Sequence, residues 1–221
     1  MNHFLSVELL SDACFSGGIG HAGEVDTDID HEKSTGLPIV RGRILKGLLV
    51  EECAMILKAL PEKPWRESAA RLFGDSGRRT GAVLSLGDGR LPESLRRVFV
   101  AAIDRGAASL SVNQVLRSFT DIRHQTKVNF QSGAPEPHSL RATRVALKGL
   151  VFQSNLYGTN NLTDEDKALF AACALSIRCG GMNRNSGWGK LRVRVMDKSH
   201  GDVTPEWVSV LHNNEEGGQD G

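Results

Sequence analysis

Two stretches of this chain gather residues whose types and spacing can do chemistry. The ten residues from Gly180 to Gly189, GGMNRNSGWG, contain Gly180, Gly181, Gly187 and Gly189, with Arg184 inside the run and Lys190 just after it. Glycine permits positive φ and leaves backbone amides open, so a loop of this kind with two cations suits a phosphate chain. Trp188 can stack on a base or anchor the loop. A helix C-cap followed by a hairpin would use the same glycines.

The second stretch begins with Gly18, Gly20 and Gly23, which match the G-x-G-x-x-G spacing of a dinucleotide-binding turn after a strand. That turn must open a helix whose N-terminus holds pyrophosphate, whereas here it opens onto EVDTDIDHE, a carboxylate run that repels phosphate. A loop that lets a nucleic-acid backbone pass is the better use. Within the run, Asp26 and Asp28 can ligate a divalent cation such as Mg2+, with Asp30 and Glu32 assisting, and a loop carboxylate can also position a ribose 2′-hydroxyl. Without a further signal, a run of acids is a solvated loop. His21 and His31 flank it and offer metal-free acid–base chemistry as an alternative. Next, Arg41, Arg43 and Lys46 stand at the start of an expected helix, where free amides and cations together form an anion site.

These residues need elements to hold them. Leu5, Val7 and Leu9 alternate with polar residues and predict a first strand. Apolar positions from Leu45 to Leu60 recur at helical spacing and predict a helix over 43–60, stopped by Pro61. A helical insertion is expected over about 61–106, with a strand at 82–86 and helices near 65–73 and 94–105. Residues 117–144 are polar and turn-rich and predict a protruding hairpin, in which Arg123, His124 and Lys127 are candidate nucleic-acid contacts. A strand from Val145 toward Leu156 follows, then a helix capped by Thr163 with Asp166 three residues on, the glycine loop, and a closing strand through Leu191, Val193 and Val195. The order predicts an α+β fold with a ferredoxin-like, RRM-like βαββαβ core, one domain over 1–211, and a disordered acidic tail over 212–221.

Composition bounds the function. The chain has 221 residues, 40% of them hydrophobic, enough for a sizeable core. Its 27 basic and 26 acidic residues give a net charge of +1, so only the uneven distribution of charge, basic in the middle, hints at a polyanionic partner. Cys14, Cys53, Cys173 and Cys179 are scattered with no C-x-x-C pair, which argues against a zinc knuckle and for free thiols in a reducing compartment. No stretch approaches the length of apolar residues needed to cross a bilayer, and an intracellular, cytoplasmic protein without membrane contact is expected.

Several of these segments also carry a resemblance. Leu37-Pro38, Gly42 and Leu45-Lys46-Gly47 resemble the LP-x-x-PGSSLKG signature of the RAMP superfamily, specifically the repeated backbone subunit of type III CRISPR effector complexes of the Csm and Cmr kinds. Asp26 stands twelve residues before Pro38, Leu72-Phe73-Gly74 is similar to the family's LFG element, and Gly180, Gly181, Gly187, Trp188 and Gly189 match its final loop. Arg41 and Arg43 stand where proline and serine are usual, and Asp28 replaces a common proline. The resemblance implies an RRM-like subunit that polymerises with copies of itself and other effector subunits along a CRISPR RNA. Gly18, Gly20, Gly181, Gly187, Arg184, Trp188, Lys190 and the basic residues of the first helix would contact the guide, with residues 117–144 as a thumb. It further implies that Asp26 is the catalytic residue of a metal-dependent endoribonuclease that cuts guide-paired target RNA. An inert guide-binding assembly subunit and a metal-independent guide-processing ribonuclease are the alternatives.

Overall fold

The computed structural model describes residues 3–16, 25–60, 62–74, 81–105 and 110–216. Its main sheet is antiparallel. Strand β1 (His3–Leu9) lies at its centre, paired along its length with β7 (Val151–Tyr157) on one side and β8 (Leu191–Asp197) on the other. Beyond β7 come the short strands β3 (Ser85–Leu86) and β4 (Gly89–Arg90), with β2 (Ile39–Val40) on β4; beyond β8 lies β9 (Gly201–Asp202). Leu5, Val7 and Leu9 point to one face with Phe152, Leu156, Val193 and Val195, and all are buried. The two-residue period that predicts β1 and β8 is therefore the period of burial.

Helices cover that face. Helix α1 (Gly42–Ile56) buries Leu45, Leu48, Leu49 and Cys53, and α2 (Glu62–Phe73) follows it. Helix α5 (Asp164–Ser176) packs against α1, α2 and β8. The expected cap is present: Thr163 Oγ1 accepts from the Asp166 amide, and the Asp166 carboxylate accepts from the Thr163 amide. That same carboxylate, fully buried, takes a bidentate pair of donors from Arg71 of α2, at 2.8 Å for the closest, so one residue caps a helix and ties two helices together.

Three features differ from the sequence expectation. The expected strand from Val145 toward Leu156 is two strands, β6 (Arg141–Ala146) and β7, separated by a turn in which Gly149 has φ +86°. Helix α3 (Glu93–Asp104) lies where one was expected, but α4 (Val112–Phe119), capped by Ser111 and Gln114, was not foreseen. Neither was α6 (Thr204–Glu216), which packs on α5; its residues 212–216 fall in the segment expected to be a disordered tail. Its apolar residues Trp207, Val208, Val210 and Leu211 crowd into five positions, too short a run to establish a helical period. Where a hairpin was expected, β5 (Thr120–Gln125) pairs with β6 in register from Thr120 opposite Ala146 to Gln125 opposite Arg141. Its tip leaves Val128 and Phe130 exposed, Phe130 completely.

Candidate functional site

The acidic run is strapped to the base of this hairpin. Asp26 N–H donates to the Ala142 carbonyl at 2.8 Å, Ala142 N–H donates to Asp26 Oδ2 at 2.7 Å, and Thr27 bridges Thr143 in parallel. Two bonds to one residue fix the aspartate's backbone and one of its oxygens. Its side chain remains 45% exposed, and Oδ1 faces Arg141 Nη1 at 3.7 Å. Two residues on, Asp28 is buried and accepts from Arg144 Nε at 3.0 Å and from the Ile29 amide at 2.8 Å. Asp30 lies 3.1 Å from Arg41 Nε. Glu32, buried, accepts from Arg96 at 2.7 Å, Arg90 at 3.3 Å and the Thr35 hydroxyl.

Each of these four carboxylates thus faces an arginine from another element. The geometry separates Asp26 from the others: it alone of the four is exposed, and Asp28 and Glu32 are inside. Mg2+ is commonly held by one or two protein carboxylates together with substrate phosphates. Asp26 fits such a role, with an accessible oxygen on a fixed backbone. Asp28 does not fit the metal role expected of it, because its carboxylate is enclosed and engaged by Arg144 and Ile29. Among the described residues no three His, Cys, Asp or Glu side chains gather as a ready metal cage.

The basic candidates divide in the same way. Arg41 is held between Asp30 and Asp88, which raise its pKa, its hydrogen bond to Asp30 most strongly. Asp88 Oδ1 also accepts from the Gly42 amide at 3.0 Å, so the protein supplies an anion of its own at the start of α1, where an open anion site was expected. Arg184 is paired with Glu51 through two 2.9 Å bonds, Arg123 with Asp12 at 2.7 Å, and Lys127 with Glu136 at 3.1 Å. Among the described residues Arg43, Lys46, His124 and Lys190 have side chains in no ion pair. Arg43, His124 and Lys190 are exposed.

The glycine loop is shaped largely by its own packing. A Cβ on Gly181 would stand 2.6 Å from the Cys14 carbonyl oxygen, and one on Gly189 would stand 1.9 Å from that of Gly180. The Met182 amide donates to Cys14, which brings the loop against the chain leaving β1. Gly187, φ +89° with open space around it, is the glycine a ligand can approach. Trp188 is partly buried against the core, which is the anchoring alternative for this residue. Gly18, Gly20 and His21 lie outside the described residues. Arg144, Asp88 and Asp12 carry no local sequence signal, since each acts through a partner distant in the chain.

A family model for the RAMP superfamily matches residues 6–192, a span from β1 into β8. The chain belongs to the RAMP superfamily. Among solved structures, it is similar to a chain of the Type III-B Cmr-beta complex bound to cognate target RNA, at TM-score 0.63 and 12% identity, covering 88% of this chain and 97% of that one. It is equally similar to a chain of the apo Type III-B Cmr-beta structure, at TM-score 0.63 and 14% identity with the same coverage. At that identity the likeness is one of fold. Among curated proteins no relative matches the chain.

Proposed function

We propose that this RAMP-superfamily chain is a backbone subunit of a type III CRISPR effector complex that binds CRISPR RNA and cuts guide-paired target RNA at Asp26. The observation that carries the reading is the fixed, exposed Asp26 at the base of the β5–β6 hairpin, within a fold shared with Type III-B Cmr-beta chains. The sheet order β8, β1, β7, β4 fits a ferredoxin-like, RRM-like core whose second strand is reduced to β3 and β4. The exposed hairpin tip, with Phe130 outward, suits a thumb laid across an RNA duplex.

Each residue then has a task. The Ala142 amide holds Asp26 Oδ2 in place and leaves Oδ1 toward the strand. Arg141 is positioned beside it to hold a phosphate oxygen. A divalent cation bound with Asp26 and the phosphate would neutralise charge developing in the transition state. Arg43 and Lys46 contact backbone phosphates of the guide. Copies of the chain and other effector subunits extend the assembly, which acts in the cytoplasm.

The test is Asp26→Ala in complex reconstituted with guide and complementary RNA. Assembly and guide binding are expected to persist while target cleavage, and its loss on chelation, disappears. Cutting at the wild-type rate by the variant overturns the catalytic assignment. The inert assembly subunit is the second reading, favoured by the pairing of Asp28, Asp30 and Glu32 with arginines, and it predicts that the wild-type complex cuts nothing.

A further inference from the structure

The sheet has a second face, opposite the core, that carries Phe4, Tyr157 and Met196 among polar side chains. Phe4 stands at the centre with Asn155 directly across on β7 and Met196 across on β8. In the next row, Ser6 is flanked by Gln153 and Arg194, and Arg90 pairs with Gln153 from β4. A polar pocket lies over these rows, floored by Phe4, Gln153 and Asn155 and rimmed by Tyr157, Arg90 and Lys198. Leu91, just before α3, and Arg96 in its first turn close one side.

Among the described residues the side chains of Gln153, Asn155, Tyr157 and Lys198 make no hydrogen bond or ion pair. Arg90, although it meets Glu32, is 45% exposed. Asp88 and Glu93 also line the pocket, but Asp88 is held by Arg41 and the Gly42 amide, and Glu93 by Arg96 and Arg97. What remains available is two aromatic rings, two carboxamides that can donate and accept, and the Lys198 ammonium at the rim, with Arg90 shared with Glu32. Rings stack on any base, carboxamides read base edges, and cations hold phosphate.

We infer that this pocket binds an unstacked ribonucleotide of a single RNA strand, at a site separate from Asp26. The inference rests on the RNA-binding part of the proposed function and not on cleavage. Asp26 sits on the hairpin base, whereas the pocket sits on β1, β7 and β4; Glu32, at the far end of the acidic run, ties the two regions together through Arg90 and Arg96.

The experiment measures binding of fluorescent hexauridylate and hexaadenylate to the full chain, with 4-thiouridine crosslinking to locate contacts. Asn155→Ala combined with Tyr157→Ala is expected to weaken hexamer binding about tenfold, the size of one lost base stack. Lys198→Glu, on an exposed turn that the core does not use, is expected to weaken it in the same direction and guards against a folding defect in the double variant. Crosslinks are expected in the peptides of β1 or β7. Unchanged affinity in these variants, or crosslinks confined to the hairpin and the glycine loop, overturns this site and leaves the cleavage reading standing. A mononucleotide that binds as tightly as the hexamers assigns the pocket to a free nucleotide and overturns the strand. A wild-type chain that binds neither oligomer overturns this inference and the RNA-binding reading together.

Discussion

At the scale of single residues, Asp26 and Asp28 are two positions apart and physically unlike. Asp28→Ala leaves the Arg144 guanidinium buried without its carboxylate, which costs about 3 kcal/mol. Asp26→Ala loses one hydrogen bond from an exposed side chain, whose amide partner water can satisfy, and costs about 1 kcal/mol or less. Urea unfolding of the two variants checks the order; equal losses would mean that Asp28 is not enclosed. The spacing D-x-D-x-D-x-E was visible in sequence and so was the chemistry of carboxylates, but not which of them is solvated. That depends on Arg144, which reaches Asp28 only after β6 folds against the loop. Cys14 gives a second test. Burial, aided by the nearby Asp28 carboxylate, raises its thiol from the usual 9.0 to about 11. The folded protein therefore keeps a proton that the unfolded chain releases, and the stability this confers is complete below pH 9 and lost as pH rises toward 11. Wild type is expected to lose more stability than Cys14→Ala over that window, on the order of 2 kcal/mol, as read from urea midpoints. Parallel curves would place the thiol in contact with water.

At the scale of elements, the glycine loop shows why a motif can be legible while its purpose is not. Four glycines in ten residues announce special backbone geometry, but sequence does not say whether the space is filled by a ligand or by the protein. Here Gly181 and Gly189 are filled by protein carbonyls, and Gly187 opens outward. Gly187→Ala is expected to cost about 1 kcal/mol for the left-handed backbone alone. Gly189→Ala adds a steric clash with the Gly180 carbonyl oxygen, so it should lower the thermal midpoint well beyond Gly187→Ala; equal shifts would show that the loop relaxes freely. Periodicity read β1, α1, α5 and β8 correctly because each has a full buried face, and the Thr163 cap because it is a local pattern. It missed α6, whose apolar run is short, and the short strands β2 and β4, which hold two residues each and carry no period. It also joined β6 to β7, since Leu147 and Leu150 keep the turn between them apolar.

At the scale of the whole molecule, charge is balanced overall and unbalanced in availability. With 27 basic and 26 acidic residues, net charge predicts no strong attraction to RNA. Pairing changes that account, because arginines at 41, 123 and 184 meet carboxylates within the fold and must give them up before touching phosphate. Arg43 and Lys46 have no such competitor among the described residues, and they lie three apart on α1, where neighbouring turns bring them to one side. Replacing both with Gln should therefore weaken guide binding and reduce the slope of log affinity against log salt by about 1.4, since each single-strand phosphate contact contributes about 0.7. Arg184→Gln should change the slope less, because its guanidinium is already neutralised by Glu51. Filter binding across a salt series separates the two cases. A slope that falls for Arg184→Gln and holds for the α1 pair would mean that the guide runs over the glycine loop and breaks the Glu51 pair as it binds, so that the phosphate path follows Arg184 and not Arg43 and Lys46.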